Sequence, residues 1–321
     1  MSIPQEPSLR ARLITRLVRR VVKRWPRKNL DAIVRRSRFL FNAPAYLSFL
    51  YVRHLTVQRV AEGNIRGEWL VPTQVSREPS AVMYFHGGGY VSCSPASHRA
   101  ITATLARLTR QRVFALDYRL APDHPFPAAI DDAEAAYDWL MHEQHVPPGQ
   151  IVFAGDSAGG GMVMAAMLRL RSHGKPLPAA GVCFSPWLDL TGHCDYRNVE
   201  SCAMFNSGDV GSFASLYLGK TSAEHLEASP LFGDLAGLPP LLIQASSTEL
   251  LLDDAERFHA KALASGVRSR LSIYPGLPHV WQISVGLMPE SRLALEEAAE
   301  FINSNLESHA QTNVTSSSPP W

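Results

Sequence analysis

From residue 81 onward the chain alternates short, nearly continuous apolar runs with longer stretches of helical periodicity. Residues 81–86, 113–118 and 151–156 are apolar on both alternating sets of positions and too short for helices, whereas 97–110, 129–144 and 157–172 carry helical spacing. Strands with two apolar faces must be covered on both, so this rhythm predicts a mostly parallel sheet with helices on either side, an α/β fold. Runs at 179–185, 241–247 and 271–274 extend that sheet, with helices expected over 253–265 and 290–306. Ahead of the alternation, 55–60 and 65–71 read as two short strands joined by a Glu62-Gly63-Asn64 turn. The rhythm lapses over 190–226, which reads as an insertion between two sheet strands.

The first 54 residues are a different kind of segment. Residues 1–60 hold 14 Lys and Arg against only Glu6 and Asp31, a balance of +12, while the remainder carries −10. Leu9, Leu13, Leu17, Val21 and Trp25 recur at helical spacing, with Ile14, Val18 and Val22 alongside, until Pro26 stops the run. Such a helix is expected to lay its apolar stripe on the body and turn its arginines to water; a basic amphipathic helix can also dock weakly on an anionic membrane surface. Arginines interrupt every apolar run there, which argues against a signal peptide, and no uncharged stretch reaches the ~20 residues of a spanning helix. Cys93, Cys183, Cys194 and Cys202 show no metal-ligand spacing and read as reduced and cytosolic. The Ser/Thr/Pro-rich tail over 309–321 is expected to be disordered, leaving 55–308 as the main domain.

Two motifs carry chemistry. Gly155-Asp156-Ser157-Ala158-Gly159 stands at the junction of the third alternating strand and its helix, the setting a nucleophile elbow requires. The tight turn presents the Ser157 hydroxyl at the sheet edge, and glycines at 155 and 159 let strand and helix approach. His86-Gly87-Gly88-Gly89-Tyr90 directly follows an earlier strand; its bare amides suit half of an oxyanion hole, the other half being the amide of Ala158. The competing reading of the triplet, a dinucleotide phosphate loop, needs Gly-x-Gly-x-x-Gly opening a helix, and that pattern is missing.

Together with Asp117-Tyr118-Arg119-Leu120-Ala121-Pro122-Asp123-His124-Pro125-Phe126-Pro127-Ala128-Ala129 between them, these motifs resemble the hormone-sensitive-lipase group of α/β-hydrolases, the bacterial family IV carboxylesterases, over about residues 55–305. The resemblance implies an eight-stranded α/β-hydrolase sheet and a helical cap built from the N-terminal segment plus the insertion. It also implies that Gly88 and Gly89 supply the oxyanion amides, and that His86 and the 117–129 stretch, His124 included, hold loops rather than react.

A serine nucleophile needs a base, and in this fold the order is serine, acid, histidine. Six histidines precede Ser157, three precede the last apolar strands, His259 falls within a helix and His309 in the tail. His279, in the turn-rich Pro275-Gly276-Leu277-Pro278-His279 loop after the last strand, remains, and the family places its base there too. The acid should follow the 241–247 strand. Family members usually carry aspartate at the first acidic place of this loop; aligned so, Glu249 takes that place, with Asp253 the alternative. The resulting expectation is a serine carboxylesterase acting on short- to medium-chain acyl esters, small-molecule substrates, with no cofactor, no metal and no nucleic acid. An amidase or lactam hydrolase on the same residues, or a hydrolase-like binding protein without chemistry, are the alternatives. Trp187, Met204, Phe205 and Trp281 are expected along the substrate pocket.

Overall fold

The computed structural model describes residues 3–24, 29–75, 79–193 and 196–316; Trp25, Pro26 and Cys194 lie outside them. Eight strands make one sheet: β1 (Leu55–Glu62), β2 (Ile65–Pro72), β3 (Ala81–Phe85), β4 (Arg112–Leu116), β5 (Ile151–Asp156), β6 (Ala180–Phe184), β7 (Leu241–Ser246) and β8 (Ser269–Tyr274). Their order is β1-β2-β4-β3-β5-β6-β7-β8, antiparallel at the β1/β2 and β2/β4 contacts and parallel elsewhere. The helices are α1 (Leu9–Val18), α2 (Leu30–Phe41), α3 (Arg99–Thr109), α4 (Ala128–His142), α5 (Ala158–Ser172), α6 (Ser207–Leu218), α7 (Leu252–Ala264) and α8 (Pro289–Ser316). The last runs ten residues beyond the expected 306 and into the stretch read as a disordered tail; 317–321 lie outside the described residues.

Alternating side chains of the central strands serve two cores, as the period of two dictates. Ala81, Met83 and Phe85 pack with α4, α5 and α7. Val82 and Tyr84 face α3 and α8. Every residue of β3, β5, β6 and β7 is buried, so the apolar runs of the sequence are the centre of the sheet.

The N-terminal segment is tied to this body by polar anchors. Ser8 caps α1 by accepting from Ala11 N–H (3.1 Å), and its own amide and hydroxyl donate to Glu290 at the start of α8. Asn29 caps α2 in the same way (2.8 Å). From α2, Arg38 donates to the Val91 and Ala121 carbonyls and pairs with Asp123 at 2.7 Å, which ties α2 to the 117–129 stretch. Past Val18 the helix continues as a π-type turn, Arg19–Lys23, whose Arg19 and Lys23 donate to carbonyls of Ser201, Val199 and Cys202 in the insertion.

One expectation for α1 is reversed. Ala11 is fully buried, but Leu9, Leu13, Leu17 and Val21, the stripe expected to dock on the body, are 71%, 54%, 60% and 43% exposed. The helix has two apolar faces, and the one through Ala11, Ile14, Val18 and Val22 turns inward.

Candidate active site

The β5–α5 junction turns sharply at Ser157, whose backbone stands at φ 53°, ψ −119°, a region L residues adopt only when their surroundings enforce it. Enforcement is visible: the Ser157 amide donates to Phe184 O (2.8 Å), and its carbonyl accepts from Gly161 and Trp187. A side chain at residue 159 would put its Cβ 2.0 Å from Phe85 O, so only glycine lets α5 reach β3 this closely.

His279 lies in the loop after β8. Its Nε2 is 2.9 Å from Ser157 Oγ and its Nδ1 2.6 Å from Glu249 Oε2. A carboxylate only accepts, so Nδ1 carries the proton, Nε2 is left as the acceptor, and the serine hydroxyl donates to it. The second Glu249 oxygen accepts from Ser246 N–H at 2.7 Å, which fixes the carboxylate's rotation. All three side chains are at least nine-tenths buried. The loop meets the reach of glutamate by turning back at the end of β7: Glu249 N–H bonds Ser246 O, closing a tight turn. Asp253 is elsewhere, on the first turn of α7 beside Arg257 (3.5 Å). Its neighbour Asp254 is buried and accepts from the amides of Leu188 and Asp189, so it anchors the chain next to Trp187.

The glycine triplet stands opposite the elbow. Gly88 and Gly89 take φ of 109° and 64°, left-handed conformations that suit glycine, and the Gly88 carbonyl accepts from Val91 and Ser92 in the turn behind. Among the described residues the amides of Gly88, Gly89 and Ala158 donate to no protein group. A buried network braces this loop against the elbow. Asp156 accepts from Tyr84 Oη (2.6 Å), Gly87 N–H (3.1 Å) and His98 Nε2 (3.2 Å). Burial opposes its ionisation, yet the charge of His98 and the hydrogen bonds from His98 and Tyr84 hold its carboxyl below the usual range. His86 stacks on Tyr118 and its Nδ1–H donates to Gly87 O (2.8 Å); burial, reinforced by the nearby charge of His98, lowers its pKa to about 3. It is a neutral, structural ring.

Ser157, His279, Gly88 and Gly89 open on one cavity of about 240 Å³ with mostly apolar walls. Trp187, Met204 and Phe205 line it, Phe205 meeting the His279 ring edge-on at 5.2 Å. Trp281 does not. It is fully buried beside Tyr274 in the cluster beneath α1, because Val280 takes a left-handed conformation (φ 52°) and turns the chain, leaving Val280 on the cavity. Sequence reading missed the contributions of Val18, Val22, Phe41 and Phe213, which come from both halves of the expected cap. Helical periodicity marked Val18 and Val22 as apolar, and nothing local marked them as walls. His124 is exposed and away from the cavity. Among the described residues no cluster could hold a metal ion.

A family model described as the α/β hydrolase fold matches residues 82–283. An acetyl-hydrolase of Streptomyces hygroscopicus is 42% identical over 247 residues, spanning 76% of this chain and 81% of the relative. An esterase of Acinetobacter venetianus is 34% identical, over 79% and 85% of the two chains. Among solved structures, an esterase of the bacterial hormone-sensitive lipase family superposes with a TM-score of 0.84 at 37% identity, covering 93% of this chain and 99% of that one. EstE5, soaked with p-nitrophenyl butyrate, gives 0.85 at 34% identity over 94% and 99%. Sheet order, elbow, glycine loop and these likenesses agree throughout, and the chain belongs to the hormone-sensitive-lipase-like, bacterial family IV branch of the α/β-hydrolases.

Proposed function

We propose that the protein is a serine carboxylesterase in which Ser157, His279 and Glu249 are the nucleophile, base and acid, and Gly88, Gly89 and Ala158 form the oxyanion hole. The observation that carries this is the unbroken hydrogen-bond chain Ser157–His279–Glu249 opening on an apolar cavity. Ser157 Oγ attacks the ester carbonyl as His279 Nε2 takes its proton; Glu249 stabilises the imidazolium. The carbonyl oxygen, now negative, is met by amides with no other partner, at the positive end of α5. Collapse expels the alkoxide, which takes the proton from Nε2. Water then attacks the acyl-enzyme by the same route.

The substrate reading is an ester with a short to medium acyl chain. The cavity is smaller than the roughly 300–1,000 Å³ of sites that enclose drug-sized ligands, and its walls offer few polar partners. The N-terminal segment and the 190–226 insertion act as its cap. Cys93, Cys183 and Cys202 are buried and unpaired, which supports a cytosolic location. Among the described residues, no helix is long and apolar enough to cross a membrane.

The test is a p-nitrophenyl ester series. Each methylene that finds apolar wall should raise kcat/KM about fourfold, from ~0.8 kcal/mol of burial, until the cavity is full. Ser157→Ala should abolish turnover at every length. Equal turnover by that variant would refute the assignment.

A further inference from the structure

Ten of the fourteen large hydrophobic side chains exposed among the described residues lie between residues 9 and 50, so exposed apolar surface is concentrated in the most basic part of the chain. On α1 and its π turn the two features interleave. Leu13, Leu17 and Val21 are exposed, and each directly follows an exposed arginine: Arg12, Arg16 and Arg20. Arg16 and Arg20 make no ion pair with any described residue. The opposite face is committed: Ala11 is buried in the core, and Val18 and Val22 line the cavity. The outward stripe therefore serves neither the fold nor the cavity wall.

We propose that this outer face of α1 docks on an anionic lipid surface, lying in the plane of the interface with Leu13, Leu17 and Val21 among the acyl chains. A row of apolar side chains flanked by arginines is the arrangement that binds there: the leucines partition while the guanidinium groups meet phosphate. Charge decides against the other simple occupant. A two-fold contact between copies of this chain would set the same patch against itself, opposing two segments of balance +12. An anionic bilayer offers the opposite charge over an extended plane, worth about a fivefold gain in partitioning for each arginine near it.

The experiment is co-sedimentation of the full chain with phosphatidylcholine vesicles, with and without phosphatidylglycerol. Binding is expected only to the phosphatidylglycerol vesicles, and to be largely released at about 1 M salt, where the Debye length falls to about 3 Å. Arg16→Gln/Arg20→Gln should weaken binding about 25-fold at low salt. Leu13→Gln/Leu17→Gln should remove it by at least about tenfold with unchanged thermal unfolding, since both side chains point to water. Full-length protein that stays in the supernatant, or equal binding by the leucine variant, overturns the proposal. So does a concentration-dependent dimer in sedimentation that the leucine variant abolishes, which would make the stripe a self-interface.

Discussion

Replacing Glu249 by glutamine tests the site through one proton. The two carboxylate oxygens have different duties: one takes the Ser246 amide at 2.7 Å, the other His279 Nδ1–H at 2.6 Å, in a site 1% exposed. Glutamine has a single acceptor. If its oxygen keeps Ser246, its NH₂ faces Nδ1, which must then accept; the ring proton moves to Nε2 and Ser157 loses its base. If the amide turns round, two N–H groups confront each other at Ser246, and a buried donor left without a partner costs about 1–3 kcal/mol. That cost leaves roughly a sixth to under a hundredth of the molecules in the productive tautomer. Those molecules also lack the carboxylate charge that stabilises the imidazolium, so a charge-assisted bond becomes a neutral one of about half the strength.

Halving a bond to a charged group, worth about 1.5–3 kcal/mol, loses a further ~4- to 12-fold, so the two losses multiply to about 20- to 2,000-fold in kcat, below the ~10⁴ that follows when a triad aspartate becomes an amide. The assay is steady-state hydrolysis of p-nitrophenyl butyrate, read beside thermal unfolding, which should move little because side-chain volume is conserved. Asp253→Asn is the matched control. Its partner Arg257 is 3.5 Å away and 42% exposed, so only about 0.3–0.5 kcal/mol of stability is at stake and kcat should stay within about twofold. A Glu249→Gln enzyme within tenfold of the parent, or a collapse confined to Asp253→Asn, refutes the reasoning.

Gly159→Ala should lower both stability and kcat, because its Cβ would sit 2.0 Å from Phe85 O and push the strand that leads into the glycine loop. About 1–3 kcal/mol of unfolding free energy and on the order of 100-fold in kcat are expected, and a denaturant melt with unchanged kcat would contradict it. His86 has a folded pKa of about 3 against about 6.5 unfolded, so the unfolded chain takes the proton first. Its contribution to stability is complete above pH ~6.5 and is lost at about 1.4 kcal/mol per unit as pH falls toward ~3; His86→Phe should flatten that limb in urea melts taken at successive pH values. Phe213→Ala removes a wall that packs over Gly89 and should move the acyl optimum to longer chains, measured as the ratio of kcat/KM for octanoate and butyrate esters. An unmoved ratio would take Phe213 out of the acyl path.

What the sequence disclosed and what it withheld divide along chain separation. Ser157 and the glycine loop are legible as candidates because each proposed role sits inside a five-residue motif whose backbone geometry is local: a tight turn needs its glycines wherever it occurs. The Ser157–His279 approach spans 122 residues, yet chain order on a parallel sheet carries it, since every such loop must emerge at the same edge. The cavity walls have no such rule. Val18 and Phe213 line one cavity from distant parts of the chain, and the N-terminal segment is tied there by Arg19 and Lys23 to carbonyls of the insertion, which leave no mark in a sequence.

The two reversed expectations have one cause: periodicity identifies a face without saying which way it points. Leu9, Leu13, Leu17 and Val21 and the set through Ala11, Ile14, Val18 and Val22 are both apolar rows on one helix. The leucines have the larger apolar surface, and burial energy alone would favour hiding them. The inward choice instead follows from size and anchoring. Ser8 is fixed to Glu290, and Ala11, with no side chain beyond Cβ to hold the helix off, packs into the cluster of Leu277 and Trp281. Trp281 belongs to the same cluster. The left-handed Val280 that withdraws it from the cavity also gives α1 the floor on which Ala11 rests, and so helps turn the leucine stripe outward.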